Sequence, residues 1–239
     1  QVFNTKYCRF FSGDILMRIK NHLSYLLLLM TIFTVPWVAA QGSYPAQETK
    51  CQSNADVLFV CGVINPEDLY QIPETNWVIA TGRISDSAGP IYAVNIESQQ
   101  VVEIYPHNAA LPEFDQETYQ QCPGPILSFQ PHGVTLRKGL NEEHTLYVVG
   151  HGAREAVEVF NLSVAEDVPV LSWTGCIPAP EGTRRINSIT ALAEGSLGAT
   201  NFDTAGGQLW EWHPTTDWIE VPGSSMMGPN GLVSSEDGA

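Results

Sequence analysis

The sequence predicts an all-β protein, a β-propeller built from repeated four-stranded blades, and three observations carry that expectation. One local pattern recurs in Asn65-Pro66-Glu67-Asp68-Leu69, Pro131-His132-Gly133-Val134, Ile186-Asn187-Ser188-Ile189 and Pro229-Asn230-Gly231-Leu232. Each copy sets a polar, ligand-type residue just after a loop and just before an apolar run. Short stretches rich in β-branched and aromatic residues then alternate with Gly, Pro and Asp clusters, with no amphipathic helical period among them. Finally, the pattern returns weakly at about the 40–50-residue period of propeller blades, with insertions. In such a fold the polar starts line the central channel.

Residues 1–16 precede Met17 and are set aside as an upstream extension outside the fold. Residues 17–40 read as a secretory signal peptide. Arg18 and Lys20 supply the positive start, Leu23 to Val35 is nearly all apolar, and Val38-Ala39-Ala40 offers small residues before a cut at Gln41. The apolar run is short of the roughly 20 residues a membrane span needs. Membrane attachment is therefore expected only if this segment is retained as an anchor. Residues 41–59 are polar and without period, a flexible lead-in.

Residues 60–239 are expected to form blades 1–3 and the start of a fourth. Trp77–Gly82, Ile91–Val94 and Val101–Tyr105 read as strands of the first unit, Thr145–Val149 and Ala156–Phe160 of the second, Leu197–Thr200 and Gln208–Trp212 of the third. The Pro-rich stretch from Pro106 to Pro125 accounts for the long gap between Glu67 and His132, and is expected to cover one mouth of the propeller. A fourth blade beginning at Asn230 stays unfinished. Three blades and a start leave open edges, so the expectation is the N-terminal portion of a longer propeller, about three and a half blades of it.

Charged residues make up only 15% of the chain while the formal net charge is −15, a sparse but one-sided acidic surface. That disfavours nucleic acid and suits cations or neutral substrates; a simply solvated acidic surface gives the same balance. Of five cysteines, Cys8 lies in the extension, leaving Cys51, Cys61, Cys122 and Cys176. An even number in an oxidising route allows three pairings. The preferred bridge is Cys122–Cys176, because both sit in Pro/Gly-rich loops flanking one module. No C-x-x-C occurs, so zinc is not expected. Asn161-Leu162-Ser163 is an N-glycosylation sequon. The chain is expected to be secreted, extracellular or periplasmic.

The polar starts carry the chemistry. Glu67 offers a carboxylate and Asn187 and Asn230 offer amide oxygens, a hard donor set that selects calcium over zinc or copper. The same residue types also serve as simple loop caps. Asp68 must point away from Glu67, and two roles are open for it, a second ion or a strand-start hydrogen bond. His132 opens a strand and His151 follows the strand expected to pair beside it. A hairpin between them sets the two rings at one end of the unit, the arrangement a general base needs. No G-x-S-x-G and no glycine-rich phosphate loop occurs.

Asn65-Pro66-Glu67-Asp68-Leu69-Tyr70-Gln71-Ile72-Pro73, Ser128-Phe129-Gln130-Pro131-His132-Gly133-Val134 and Leu146-Tyr147-Val148-Val149-Gly150-His151 together resemble the paraoxonase/arylesterase lactonases. The resemblance runs on through Ile186-Asn187-Ser188-Ile189, Gly198-Ala199-Thr200-Asn201 and Asn230-Gly231. Gluconolactonase and strictosidine-synthase-like propellers share it more loosely. It implies a six-bladed propeller with two calcium ions in its tunnel. Glu67, Asn187 and Asn230 would hold a catalytic calcium, Asp68 and the main-chain carbonyl of Val134 a structural one, and His132 and His151 would be the dyad that activates water. The expected substrate is a lactone or aryl ester. Ser188 departs from the family pattern, which has Asp there as a structural-calcium ligand. The alternatives are a strictosidine-synthase-like lyase using a channel carboxylate without metal, and a non-catalytic secreted propeller that binds a ligand.

Overall fold

In a computed structural model, which describes residues 51, 53–54, 56–84, 88–183 and 185–235, twelve strands form where the sequence concentrates β-branched and aromatic residues. The expected upstream extension and signal peptide, and most of the lead-in, lie outside the described residues. Among the described residues no helix is long and apolar enough to cross a membrane.

The strands make three four-stranded antiparallel sheets, each ordered as the chain runs. The first holds β1 (Pro66–Gln71), β2 (Trp77–Gly82), β3 (Ile91–Asn95) and β4 (Val101–Tyr105). The second holds β5 (Gln130–Arg137), β6 (Glu143–His151), β7 (Ala156–Ser163) and β8 (Val170–Pro178). The third holds β9 (Ile186–Ala191), β10 (Leu197–Asn201), β11 (Gln208–His213) and β12 (Asp217–Glu220). The all-β class and the antiparallel units are therefore as the repeat implied. The closing strands β8 and β12 had no clear signal, since β8 is interrupted by Gly175 and Cys176 and β12 has four residues.

The first strands pack side by side, β5 between β1 and β9, and one hydrophobic cluster runs through all three sheets. Its centre is aromatic. Tyr105 meets Phe160 edge-on at 5.1 Å and tilts against Phe129 at 5.5 Å. Such buried rings each contribute roughly 1.5–3 kcal/mol through lost water contact. Beside them a buried pair is fully satisfied. Arg154 donates from Nε and Nη2 to the two oxygens of Glu158 at 2.7 and 2.6 Å, and the Trp173 indole N–H adds a bond of 2.8 Å.

The Pro106–Pro125 insertion runs along β8, donating from Ala110, Glu113 and Asp115 to the carbonyls of Leu171, Trp173 and Thr174, each at 2.8 Å. Its last residues reach the turn between β6 and β7, where the Gly124 carbonyl accepts from Arg154 Nη1 at 2.7 Å. An outermost strand presents unpaired main-chain groups, and this loop satisfies them. The Cys122–Cys176 bridge fastens it there, and Cys51–Cys61 forms the second disulfide. Two disulfides fit a chain that matures in an oxidising compartment. In the sequon, Asn161 Nδ2 and Ser163 Oγ both donate to Glu143, at 2.7 and 2.8 Å.

Residues 231–235, expected to open a fourth unit, form no strand. They lie against β9 through side chains, Leu232 N–H donating to Ser188 Oγ at 3.1 Å and Ser234 N–H to Thr190 Oγ1 at 3.1 Å.

Candidate functional site

The pairing of first strand with second is irregular at the same place in all three sheets. In β1 the register shifts between Pro66 and Asp68, at Glu67. In β5 it shifts between Pro131 and Val134, at His132-Gly133. In β9 the shift falls at Asn187-Ser188, opposite Thr200. A bulge breaks strict alternation and re-aims a side chain, so each polar start turns out of its ladder. As a result Glu67, Asp68, His132, Val134, Asn187 and Asn230 line one open cavity of about 550 Å³. His151 stands behind His132.

Hydroxyls lock two of these turns. Thr81 Oγ1 accepts the Asp68 N–H at 3.1 Å and donates to the His132 carbonyl at 2.6 Å. Thr200 Oγ1 accepts the Ser188 N–H at 3.0 Å and donates to the Asn230 carbonyl at 2.7 Å. Each threonine thus fixes the polar start of the next unit. Val149 occupies the corresponding place in the second sheet and has no hydroxyl to reach Asn187. There the N–H of Ile186 donates instead to the Glu155 carboxylate at 2.7 Å.

Asp68 is used as a hydrogen-bond acceptor: Oδ2 takes the Val134 N–H and Oδ1 the Leu69 N–H, both at 2.9 Å. Ser188 does the same one unit later, toward Leu232. Those side chains bind each first strand to the next segment. Gly133 permits a close approach of β5 to β9, since a Cβ there would meet the Asn187 carbonyl oxygen at 2.5 Å.

A chain of four ionisable groups crosses the site. Glu67 Oε2 lies 3.3 Å from His132 Nε2, His132 Nδ1 lies 3.3 Å from His151 Nε2, and His151 Nδ1 lies 2.8 Å from Glu155 Oε2. Two neutral imidazoles carry two N–H groups between them, and the chain has three links. With the pair neutral, one link holds no proton. Burial pushes the His132 pKa below its ordinary value, and the adjacent His151 pushes it further down, against an opposing pull from Glu67. His132 therefore stays neutral, the form a general base requires. Arg83 donates to Glu67 Oε1 at 3.4 Å.

Among the described residues no group of three or more His, Cys, Asp and Glu converges as a metal centre. The oxygen-bearing side chains in the cavity lining include two carboxylates, Glu67 and Asp68, and two amides, Asn187 and Asn230, with no cysteine among them. Calcium accepts amide and carbonyl oxygen readily, and zinc does not.

Sequence reasoning placed the seven candidate residues but missed Thr81, Thr200, Glu155 and Arg83. The threonines had a signal, because Ala80-Thr81 and Ala199-Thr200 close the second strand of two units. Glu155 follows His151 by four residues across a turn, which links the pair only once the hairpin is formed. Comparison with models of known protein families and with curated protein sequences finds no match.

Proposed function

We propose that the three sheets are successive blades of a six-bladed β-propeller and that the cavity hydrolyses carboxylic esters, lactones or aryl esters, with calcium as cofactor, in a secreted protein of paraoxonase-like type. The observation that supports this most is the single cavity shared by Glu67, His132, Asn187 and Asn230, with His151 bonded behind His132. Glu67, Asn187 and Asn230 would hold the ion. When bound, calcium supplies polarisation of the ester carbonyl and offsets the charge of the oxyanion. His132 takes the proton of the attacking water at Nε2, the nitrogen that faces Glu67 and the cavity. His151 supports it through the Nδ1 contact. The sheet-to-sheet hydrogen bonds hold these groups in place before substrate arrives, so little reorganisation is needed. Asp68 and the main-chain carbonyl of Val134 would hold a second, structural ion; each Asp68 oxygen already accepts one main-chain N–H, and Ser188 offers only a neutral hydroxyl.

A second reading has one observation in its favour. Glu67 is already partnered by Arg83 and His132, as a carboxylate doing acid–base work without metal would be. A panel of lactones and aryl esters, assayed with wild type and His132→Gln, tests the hydrolase. Turnover that falls in the variant with calcium affinity kept supports it. Absence of turnover on every ester, or an unchanged rate in the variant, counts against it.

A further inference from the structure

The His pair ends on a carboxylate whose second partner is the strand that carries Asn187. Both oxygens of Glu155 lie within hydrogen-bond distance of His151 Nδ1, at 3.0 and 2.8 Å. Oε1 also accepts the Ile186 N–H at 2.7 Å, one residue before Asn187. Its own main-chain carbonyl is bonded to the N–H of Ala179 at 3.0 Å, so the side chain starts from a fixed backbone. The His151 side chain is only 8% exposed and that of Glu155 25%, so water competes weakly for the Nδ1 position.

We propose that Glu155 is the positioning residue of the site, fixing the tautomer of His151 and tying the His pair to the strand that presents Asn187. This rests on the hydrolytic reading of the cavity given above. A carboxylate is an acceptor only, and one stands at each end of the chain of four groups. Glu155 sets both oxygens 3.0 and 2.8 Å from His151 Nδ1, whereas Glu67 Oε2 is 3.3 Å from His132 Nε2 and Glu67 also takes Arg83. The nearer carboxylate therefore keeps the proton on His151 Nδ1 and leaves Nε2 bare. The bare Nε2 accepts from Nδ1–H of His132, and the unprotonated nitrogen of His132 is then Nε2, at the cavity. The tautomer is thus handed along two rings by one carboxylate. Among the described residues His151 has no other ring partner than Glu155 and His132, and Glu67, beyond His132, is the group that favours the opposite order. The bond to Ile186 gives the same group a second consequence, a common anchor for the base and for a ligand strand that receives no threonine from the preceding unit, where Val149 stands in its place.

Glu155→Gln is the informative substitution, because it keeps shape and replaces one acceptor with a donor. The glutamine oxygen stays with the Ile186 N–H, and its NH₂ faces His151 Nδ1. His151 must then carry its proton on Nε2, His132 accepts at Nδ1, and the proton of His132 moves to Nε2, where the base is lost. The experiment records ring ¹⁵N shifts of the full chain labelled in histidine, at about pH 8 where an ordinary histidine is neutral, together with kcat and KM for an ester. The expected result is an Nδ1–H tautomer for His151 in wild type, its inversion in Glu155→Gln, and a fall in kcat of about 10²–10⁴-fold with KM held within about twofold. An Nε2–H tautomer in wild type, or an unchanged tautomer in the variant, overturns the proposal. The wild-type spectrum decides even if the variant folds poorly. Should wild type hydrolyse no ester, the hydrolase reading fails while the tautomer still reports on Glu155.

Discussion

The hydroxyl of Thr81 donates to the main-chain carbonyl of His132 at 2.6 Å, across the boundary between two sheets. Its counterpart, Thr200 to Asn230 at 2.7 Å, repeats the relationship one boundary further on. The same hydroxyls take an N–H from their own sheet, so each is fully used. Valine should fit at either position, because Val149 fills the equivalent place in the second sheet. Thr200→Val is expected to weaken calcium binding roughly tenfold, the effect of losing about 1.4 kcal/mol of hydrogen bonding. Thr81→Val should lower kcat through the lost His132 bond and weaken calcium less than Thr200→Val does, because it loosens only the turn beside Glu67. Calorimetric titration and steady-state kinetics check both; equal effects of the two variants on calcium would break the assignment of His132 and Asn230 to separate roles.

Gly133→Ala should be damaging out of proportion to one methyl group. The added carbon would meet the Asn187 carbonyl, a main-chain atom that cannot rotate aside. Overpacking of this kind costs about 1–3 kcal/mol, and here it also pushes Asn187 from the cavity. Denaturant unfolding should show the loss, and calcium titration a weaker site. Normal values in both would mean that β5 and β9 have room to part.

The Arg154–Glu158 pair makes a stability prediction independent of function. Glu158→Ala leaves the Trp173 N–H without its acceptor and the guanidinium of Arg154, whose side chain is 15% exposed, with only the Gly124 carbonyl, which should cost about 3 kcal/mol. Replacing both charged residues together with apolar ones of similar size should cost far less. Urea unfolding of the two variants decides it, and equal losses would show that packing rather than an orphaned charge sets the penalty.

The depressed pKa of His132 fixes the direction of two pH effects. A histidine neutral in the folded state binds its proton more readily when unfolded. The stability it contributes is complete above the ordinary histidine value of about 6.5 and is lost as pH falls from there through the lower folded value. His132→Gln should flatten that acid-side loss. The rate should likewise keep its base below the ordinary value, so the acid limb of kcat/KM inflects under it. An inflection above it would contradict the burial argument.

The units of the fold were legible because each opens on a polar residue after a loop and continues into β-branched runs, as at Glu67, His132 and Asn187. The proximity of His132 and His151 was legible too, since an antiparallel hairpin brings its ends together. The bulges were not, because a register shift depends on the partner strand and leaves no local mark. Glu155 escaped for a related reason: its bond to Ile186 joins two sheets, and no spacing within one unit announces it. The run of the Pro106–Pro125 loop along β8 was not legible, because the demand it meets, an unpaired β8 edge, exists only after the second sheet has formed. Ser188 looked like a defect in an ion site. Beside Asp68 it is the same hydrogen-bond device in neutral form.

The central claim is that calcium held by Glu67, Asn187 and Asn230 is required for ester hydrolysis at this cavity. Its most direct test is the rate of lactone or aryl-ester hydrolysis as free calcium is lowered with a chelator and then restored, in wild type and in Glu67→Gln, with circular dichroism following the fold. Activity should vanish under chelation, return with calcium, and need far more calcium in the variant. Turnover that persists under strong chelation with the fold intact would contradict the account.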